Sequence, residues 1–389
     1  MQRHLDLILK QHFKHYKQVL VLLGSRQVGK TTISKKIFPQ ANYILVDNEP
    51  IRKILETYDI FAYKNLMDKN ANYLIIDEIH LLSDPGRATK IIYDPIEDVK
   101  LIITGSSSFH IKNKTSESLA GRKIDYRIYP LTFSEYLVQK NIEKELNFNI
   151  LENLVAEKEL KDKKYKFDLN SILEDVLIYG QYPYNINYPR DKKYLLNFVD
   201  SLIFKDVLEL NLIDDKRLAL NLLRLLASQI GNLINYSELA SSLGADQRKI
   251  KRYIEIFEQS FIIFRLYPFS RNKRNEIIKT AKIYFYDLGV RNALLENFSE
   301  LYLRVDKGAL FENFIISEVI KTISYSDLGY KIYYWRNKQG AEMDLILENN
   351  STHKLIGVEI KYKKRTISKA FNNKYKDAKT RLVSVENFY

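Results

Sequence analysis

The stretch Gly24-Ser25-Arg26-Gln27-Val28-Gly29-Lys30-Thr31 decides the fold of the first part of this chain. It follows the short apolar run Val19–Leu23, and a helical pattern begins at its end. Two glycines let the backbone curl so that successive N–H groups point at phosphate oxygens, and the helix that follows adds its positive dipole end. A strand, a loop of this spacing and a helix are together typical of a P-loop that binds nucleotide phosphates.

Each residue type in this loop has a predicted role. Lys30 places a positive charge on the β- and γ-phosphates, and the Thr31 hydroxyl is a hard oxygen ligand for magnesium. The predicted cofactors are therefore ATP and Mg²⁺. The predicted nucleotide-binding residues are Gly24, Ser25, Arg26, Gln27, Val28, Gly29, Lys30, Thr31, Thr32 and Asp77.

An acidic pair ends a second apolar run. Tyr73–Ile76 is followed directly by Asp77 and Glu78. We expect Asp77 to hold magnesium, directly or through water, together with Thr31. Glu78 would orient and activate the attacking water, because the protein otherwise supplies mostly positioning and charge. This pair predicts hydrolysis in addition to binding, with Lys30 and Glu78 as catalytic residues.

Polar residues follow the next strand as well. Leu101–Thr104 leads into Gly105 and Ser106, so Thr104 or Ser106 is a candidate sensor of the γ-phosphate, and a plain turn is the alternative. Arg122 comes shortly afterwards. It is a candidate catalytic residue that would neutralise the transition state in cis or across a subunit interface, and a surface arginine is the alternative.

His80 follows the acidic pair after one residue. A histidine at this place can indicate a helicase. A single histidine is a weak signal, however, and the other helicase motifs are not visible in this chain. We therefore favour a structural role for His80.

The first third of the chain alternates apolar runs with helical stretches. Tyr43–Val46 and Lys123–Ile128 complete a set of strands typical of a parallel βαβ sheet. The helix Thr132–Gln139 would close a P-loop ATPase domain at residues 1–140. The charged stretch Asn141–Asn170 is expected to be a solvated connecting helix, and helical patterns continue to about Leu266.

A helix-turn-helix pattern lies in the middle region. Tyr236–Glu258 carries a small Ala240 four residues before Gly244, followed by a second helical pattern. Two strand-like runs after it would form a wing, so residues 141–300 are predicted to be a helical linker with a winged-helix region. A packing module without DNA is the alternative. The candidate DNA-reading residues are Gln247, Arg248, Lys249 and Lys251.

The last region, residues 301–389, carries a second group of acidic residues. Glu359 and Lys361 share one face of a predicted strand because side chains alternate with period two, and Asp344 heads the strand before it. Two carboxylates beside a lysine are the parts needed for metal-assisted phosphodiester hydrolysis, with Glu312 as a further ligand. An internal salt bridge, or DNA binding without cutting, is the alternative.

Composition and charge limit the class of protein. The chain has 389 residues, a net charge of +13 and no cysteine, which excludes disulfides and thiolate zinc sites. There is no apolar run of about 18 residues and no signal-peptide pattern, so we expect no membrane segment and a cytoplasmic location. The positive charge favours DNA as a partner. The alternative is an A·T-rich coding sequence, which itself enriches Lys, Asn, Ile and Tyr.

Over nearly its whole length the sequence resembles the bacterial and archaeal AAA-type ATP-binding proteins that carry a C-terminal domain of unknown function. The resemblance implies an α/β P-loop NTPase (AAA-type) parallel sheet, a winged-helix region and a small restriction-endonuclease-like domain of the PD-(D/E)XK type. Gln181 departs from the family, which more often has a second glycine there. The motifs that carry the resemblance are Gly24–Thr32, Leu74–Glu78, Thr104–Ser108, Leu119–Arg122, Tyr179–Pro183, Phe204–Asp206, Lys282–Gly289, Gly308–Asn313, Tyr334–Arg336, Gly340–Leu345 and Val358–Lys361.

Three functions agree with these patterns. The first is an ATPase coupled to DNA binding. The second is an ATP-dependent nuclease that uses Asp344, Glu359 and Lys361. The third is a regulatory ATP switch that binds a protein partner, and self-association into a homo-oligomer is open in each case.

Overall fold

The protein is described by a computed structural model, and its described residues form two compact units. The first consists mainly of Met1–Tyr129, and the second consists of Pro130–Ser201, Ile213–Glu258 and Ile262–Tyr389. The three-part division predicted from the sequence stays a prediction. The described ranges are 1–68, 71–96, 99–106, 119–157, 160, 164–203, 213–270, 280–326, 328–363 and 368–389.

The first unit is built on a parallel sheet of five strands with the order β2-β3-β4-β1-β5. The sheet confirms the predicted α/β class. A 3₁₀ turn at Ile79–Leu81 follows the third strand. The strands and helices are α1 (Leu5–His15), β1 (Val19–Leu23), α2 (Lys30–Ile37), β2 (Asn42–Leu45), α3 (Glu49–Leu55), α4 (Ile60–Leu66), β3 (Tyr73–Asp77), α5 (Pro85–Tyr93), β4 (Lys100–Gly105) and β5 (Lys123–Arg127).

Burial along each strand explains the order of the sheet. The central strand β1 is buried at every residue, and β3 and β4 are buried at all but their first residue. Strands β2 and β5 lie at the edges and carry exposed and half-buried side chains, including polar ones. Continuous apolar runs are expected where helices cover both faces of a parallel sheet, and mixed sequences are expected at its edges.

Gly24 is required where β1 enters the loop. A Cβ atom at this position would lie 2.2 Å from the Ile128 carbonyl oxygen, and backbone cannot move aside as a flexible side chain can. We therefore expect Gly24→Ala to lower the free energy of unfolding by about 1–3 kcal/mol, measured by urea denaturation. Gly308→Ala is the control, because a Cβ there meets nothing within 4 Å. Equal unfolding midpoints for the two variants would contradict this account.

The second unit combines helices with two small sheets. A two-stranded antiparallel sheet follows the middle helices, and a four-stranded mixed sheet lies near the end of the chain. The elements are α6 (Phe133–Gln139), α7 (Asn149–Val155), α8 (Leu169–Tyr179), α9 (Tyr184–Asn187), α10 (Lys192–Ile203), α11 (Lys216–Ser228), α12 (Tyr236–Leu243), α13 (Gln247–Gln259), β6 (Ile263–Leu266), β7 (Lys282–Phe285), α14 (Leu288–Leu294), α15 (Lys307–Tyr325), β8 (Tyr330–Arg336), β9 (Glu342–Asn349), β10 (Leu355–Ile360), α16 (Ala370–Lys374) and β11 (Lys379–Val383).

The pattern at Tyr236–Glu258 forms two helices, α12 and α13, with a tight turn between them. Asn235 caps α12 through its side chain, and Gly244 adopts the left-handed conformation at φ +60° that ends the helix. Strands β6 and β7 pair in antiparallel register after the second helix. Two helices with a tight turn and a pair of strands therefore lie where the sequence predicted them, and a winged helix that binds DNA stays a prediction.

The terminal sheet has the order β11-β10-β9-β8, in which β10 and β11 are parallel and the other pairs are antiparallel. Helix α16 and strand β11 were not predicted from the sequence. One solvated helix was expected across Asn141–Asn170, whereas the described part contains the short helix α7 with Ile150, Leu151 and Leu154 buried. Within the described ranges, no helix is both long and apolar enough to cross a membrane. Phe204–Asp206 and Ser107–Ser108 lie outside these ranges.

Candidate active site

The carboxyl ends of β1, β3 and β4 meet at one edge of the first sheet. Leu23 pairs with Gly105 across β1 and β4, and Ile76 pairs with Ile103 across β3 and β4. The loop after β1 and the polar residues after β3 and β4 are consequently neighbours. The edge to which parallel strands point is where open α/β sheets bind ligands.

The phosphate-binding loop runs from Gly24 to Gly29, and α2 begins at Lys30. Lys30 is buried, and its Nζ donates to the carbonyl oxygens of Gly24 and Ser25 at 2.9 Å each. Gly29 lies at φ +101°, a conformation that favours glycine. These contacts hold the ammonium over the loop. They use two of its three donors.

Asp77 is the centre of a group of hydroxyls at this edge. Its Oδ2 accepts a hydrogen bond from Thr31 at 2.6 Å and from the Tyr43 hydroxyl at 2.6 Å, and its Oδ1 accepts from Thr104. Asp77 itself is buried. Burial, followed by the hydrogen bond to Asp77, raises the pKa of Tyr43, so its hydroxyl stays a donor. The structure thus brings Thr31, Asp77 and the sensor candidate Thr104 together.

Thr31 and Asp77 are the residues that fit a magnesium ion. Their hydroxyl and carboxylate oxygens are hard donors 2.6 Å apart. Across the ranges that the structure describes, no group of three or more acidic or histidine side chains is arranged to hold a metal. Magnesium at phosphate sites typically uses one or two protein oxygens, with substrate phosphates and water supplying the rest.

Glu78 is held in an uncommon conformation directly after Asp77. Its backbone is left-handed at φ +59°, and its N–H donates to Thr104 Oγ1 at 3.2 Å. Non-glycine residues in this region cost free energy and concentrate at functional sites. The carboxylate lies 3.2 Å from His80 Nδ1, and His80 Nε2 lies 3.1 Å from Ser106 Oγ. Both sensor candidates, Thr104 and Ser106, are buried at this edge.

Two residues that the sequence analysis missed support the loop. Tyr43 lies on β2 and reaches Asp77, as described above. Arg3 is buried and donates to the carbonyl oxygens of Val28 at 2.9 Å and Tyr129 at 2.7 Å, so it ties the N-terminal segment to the loop. Tyr43 and Asp77 share one face of the sheet, because Leu45 is the register partner of Asp77 and side chains two residues apart lie on the same face. The sequence alone shows neither this register nor the contact of Arg3, which lies far from the loop in sequence.

The structure does not bring Arg122 to the loop of its own chain. Its carbonyl oxygen accepts from Val19 N at the start of β1, whereas the loop follows the end of that strand. The two ends of β1 lie roughly 16 Å apart at about 3.3 Å per residue. Arg122 pairs with Asp94 at 2.9 Å and is partly exposed. This placement favours the role across a subunit interface over the role in cis, and both roles stay predictions.

We expect Arg122→Ala to leave the affinity for ATP unchanged, because the arginine lies at the opposite edge of the sheet. The rate of hydrolysis should fall only at protein concentrations at which the chain associates with itself. Titration of labelled ATP and a concentration series of the rate test this. A loss of ATP affinity at low protein concentration would contradict the placement.

The candidate DNA-reading residues lie at the start of α13. Gln247, Arg248 and Lys251 are exposed. Lys249 is half-buried and pairs with Asp214 at 2.7 Å. This contact, together with the hydrogen bond from the Tyr253 hydroxyl, lowers the pKa of Asp214 to about 2. Lys249 is therefore engaged by an acidic partner, whereas Arg248 and Lys251 present their charge at the surface.

The second acidic group assembles in the terminal sheet. Asp344 Oδ2 accepts from Ile360 N at 2.7 Å and from Lys361 Nζ at 3.2 Å, and Lys361 also contacts Glu359 at 2.9 Å. Both carboxylates are buried. Burial, reinforced by the charge of Asp344, raises the pKa of Glu359. Burial disfavours the charged form of Lys361, but Asp344 and Glu359 outweigh it and raise the pKa of that ammonium.

Glu312 joins this region through residues that the sequence analysis missed. Its Oε1 accepts from the Tyr284 hydroxyl at 2.6 Å and lies 3.5 Å from Lys282 Nζ, which also pairs with Glu342. Burial raises the pKa of Glu312, Lys282 opposes this, and Asp344 adds to it. Strand β7 thus contributes a second lysine, Lys282, to the acidic group. The sequence did not indicate this, because Lys282 lies far from Asp344 and Glu359 along the chain.

Three family models match separate parts of the chain. Residues 16–137 match an AAA domain, residues 170–301 match a domain of unknown function (DUF8612), and residues 307–387 match a domain of unknown function (DUF4143). The chain thus carries an AAA domain followed by a C-terminal DUF4143 domain. The AAA match supports ATP binding, as the loop predicted.

Relatives are similar over most of the chain. The uncharacterized protein MJ1637 of Methanocaldococcus jannaschii is 27% identical over 365 residues, covering 87% of this chain and 76% of its own length. The uncharacterized protein Rv2008c of Mycobacterium tuberculosis is 24% identical, covering 86% of this chain and 68% of its own. Among solved structures, the Walker-type ATPase paby2304 of Pyrococcus abyssi has a TM-score of 0.48 at 16% identity, covering 75% of this chain and 94% of that one.

Proposed function

We propose that the AAA domain at residues 16–137 binds ATP with magnesium and hydrolyses it, and that the chain couples this reaction to DNA binding. One observation supports hydrolysis above all. Glu78 follows Asp77 directly, and its carboxylate lies 3.2 Å from His80 Nδ1, at the same edge of the sheet as Lys30 and Thr31. An NTPase needs a residue that orients the attacking water, and Glu78 is in the position to do so.

In the proposed reaction the oxygen of a water molecule attacks the γ-phosphorus of ATP. The bond between that phosphorus and its bridging oxygen breaks, ADP leaves, and Glu78 accepts the proton of the water. Lys30 binds the phosphates and offsets their charge, with Thr104 and Ser106 beside them as sensors. Magnesium, held by Thr31 and Asp77, would supply further charge neutralisation at the phosphates.

DNA binding is supported by charge at the surface of α13. Arg248 and Lys251 are exposed at the N-terminal half of the helix that follows the Gly244 turn, and Gln247 precedes them. The second helix of such a pair is the one that contacts DNA in helix-turn-helix proteins. The net charge of +13 adds a general attraction to phosphate polymers.

A nuclease is the second candidate function. The convergence of Asp344, Glu359 and Lys361 favours it, because the carboxylates lie on adjacent antiparallel strands with the lysine between them. We expect any cleavage of DNA to require magnesium and to be lost in Asp344→Asn. Glu348→Gln, on the same strand, is the control. Intact DNA with several divalent metals would rule against this function.

One experiment tests the main proposal. Phosphate release from ATP is measured with and without duplex DNA over a series of salt concentrations, and DNA integrity is followed in the same samples. We expect release that DNA accelerates, and DNA affinity that falls steeply with salt. The double variant Arg248→Ala, Lys251→Ala should lose the DNA effect. The exposed pair Lys192→Ala, Lys193→Ala removes equal charge and should keep it.

Two outcomes would change the proposal. If the rate of phosphate release is the same with and without DNA, and no salt-dependent affinity for DNA is found, a regulatory ATP switch that binds a protein partner would be favoured. Release that both double variants reduce equally would assign the DNA effect to general charge and would contradict a role for α13. The cytoplasmic location and self-association stay predictions.

A further inference from the structure

His80 is a buried histidine with a polar contact at each ring nitrogen. Its Nδ1 lies 3.2 Å from a carboxylate oxygen of Glu78, and its Nε2 lies 3.1 Å from Ser106 Oγ. The side chain is only 1% exposed. We infer that His80 is a positioning residue that fixes the Glu78 carboxylate and links it to Ser106 at the end of β4. This inference rests on the proposed hydrolysis.

The local backbone explains how His80 reaches Glu78. Glu78 is left-handed at φ +59°, and the 3₁₀ turn Ile79–Leu81 starts directly after it. The chain therefore turns sharply, and the residue two positions on faces back to the carboxylate. The Glu78 N–H also donates to Thr104, so the backbone of the glutamate is held at the same place.

The partners determine the tautomer of the ring. A carboxylate accepts only, so the inferred role requires that Nδ1, which lies 3.2 Å from the Glu78 oxygen, carries the proton. Nε2 of the neutral ring is then an acceptor, and the Ser106 hydroxyl donates to it. In this arrangement Ser106 determines the orientation of the His80 ring, and the ring determines the orientation of the Glu78 carboxylate. No proton needs to move along the series during hydrolysis.

The consequence is a glutamate with restricted rotation. The Glu78 side chain keeps 21% of its surface exposed, so water has access to it, while one of its oxygens lies 3.2 Å from His80 Nδ1. A general base acts only within hydrogen-bonding reach of the proton it accepts, and small displacements cost rate. Loss of the His80 contact should therefore lower kcat and leave the KM for ATP near its original value.

Two substitutions separate this role from simple packing. An asparagine amide can replace Nδ1, so His80→Asn retains a donor for Glu78 and loses the contact with Ser106. A glutamine amide reaches the place of Nε2, so His80→Gln retains the contact with Ser106 and loses that with Glu78. A packing residue would respond to the size of the replacement, whereas a positioning residue responds to which contact is lost.

We expect kcat to fall about 10- to 100-fold in His80→Gln and less than about 10-fold in His80→Asn, with KM unchanged in both. Ser106→Ala removes the same contact and also the sensor hydroxyl, so it should lower kcat at least as much as His80→Asn, and the double variant should be no worse than Ser106→Ala alone. The control is His12→Gln. His12 is also buried in the first unit, with its ring bonded to Tyr126 and Gln18, and its loss should alter stability without lowering kcat.

Nitrogen NMR of ¹⁵N-histidine-labelled chain gives a readout that needs no turnover. The signals of His80 are assigned by their absence in His80→Asn. At pH 8 the His80 ring should carry its proton at Nδ1, and Glu78→Ala should shift the proton toward Nε2. A ring protonated at Nε2 in the unchanged chain would overturn the inference, as would equal kcat in all variants beside an active unchanged chain. An unchanged chain that releases no phosphate would overturn the proposed function instead. The NMR tautomer alone would then test whether His80 contacts Glu78.

Discussion

Replacing Glu78 with glutamine is expected to slow ATP hydrolysis by about 10²- to 10⁴-fold, the range typical of a lost general base. Glutamine has nearly the same shape but cannot accept the proton of the attacking water. The neighbouring contacts of Thr31 with Asp77 involve other side chains, so ATP affinity should stay close to that of the unchanged chain.

Two measurements on one sample test this prediction: equilibrium binding of labelled ATP and the rate of phosphate release. Glu49→Gln is the matched control, because Glu49 is exposed and pairs only with Lys53 among the ion pairs described. It should hydrolyse ATP at the original rate. If Glu78→Gln released phosphate as fast as Glu49→Gln, another residue would have to activate the water.

Replacing Lys30 with alanine is expected to abolish tight binding of ATP. Truncation of one partner of a buried charge pair costs about 2–5 kcal/mol, roughly 30- to 5,000-fold in Kd. Lys30 is buried, and Gly24 and Ser25 hold its ammonium over the loop, so the charge is fixed where phosphates are expected. Hydrolysis should fall together with binding, unlike in Glu78→Gln.

Lys36→Ala is the control for the loop variant. Lys36 lies on the same helix, α2, but pairs with Asp6 at the surface. Calorimetric titration with ATP and magnesium should give the original affinity for Lys36→Ala and no measurable heat for Lys30→Ala. Equal affinity in the two variants would mean that ATP binds elsewhere.

The sheet of the first unit was predictable because its signals are local. A buried parallel strand needs a short apolar run, and Val19–Leu23 has the same bounds in the sequence and in the structure. The helix predicted at Thr132–Gln139 is α6 (Phe133–Gln139), and in the structure Thr132 caps it through a capping box with Glu135. Strand β11 was missed because Lys379–Val383 mixes charge with apolar residues and lies in a basic stretch.

The residues of the candidate site likewise divide into those that local sequence signals predict and those that depend on the fold. Lys30, Thr31, Asp77 and Glu78 follow the ends of strands, and parallel strands bring those ends together. His80 and Tyr43 could not be assigned in advance, because their roles depend on where a turn and a neighbouring strand direct their side chains. Arg122 follows Gly121 at the start of β5, so the topology places it at the opposite edge from the loop.

Single-turnover hydrolysis separates ATP cleavage from ATP binding alone. Excess purified chain is mixed with radiolabelled ATP and magnesium, and bound ATP and released phosphate are followed over time. We expect the bound ATP to be converted to ADP and phosphate in the unchanged chain and to stay intact in Glu78→Gln. ATP that remains bound and uncleaved in the unchanged chain, with or without DNA, would contradict it.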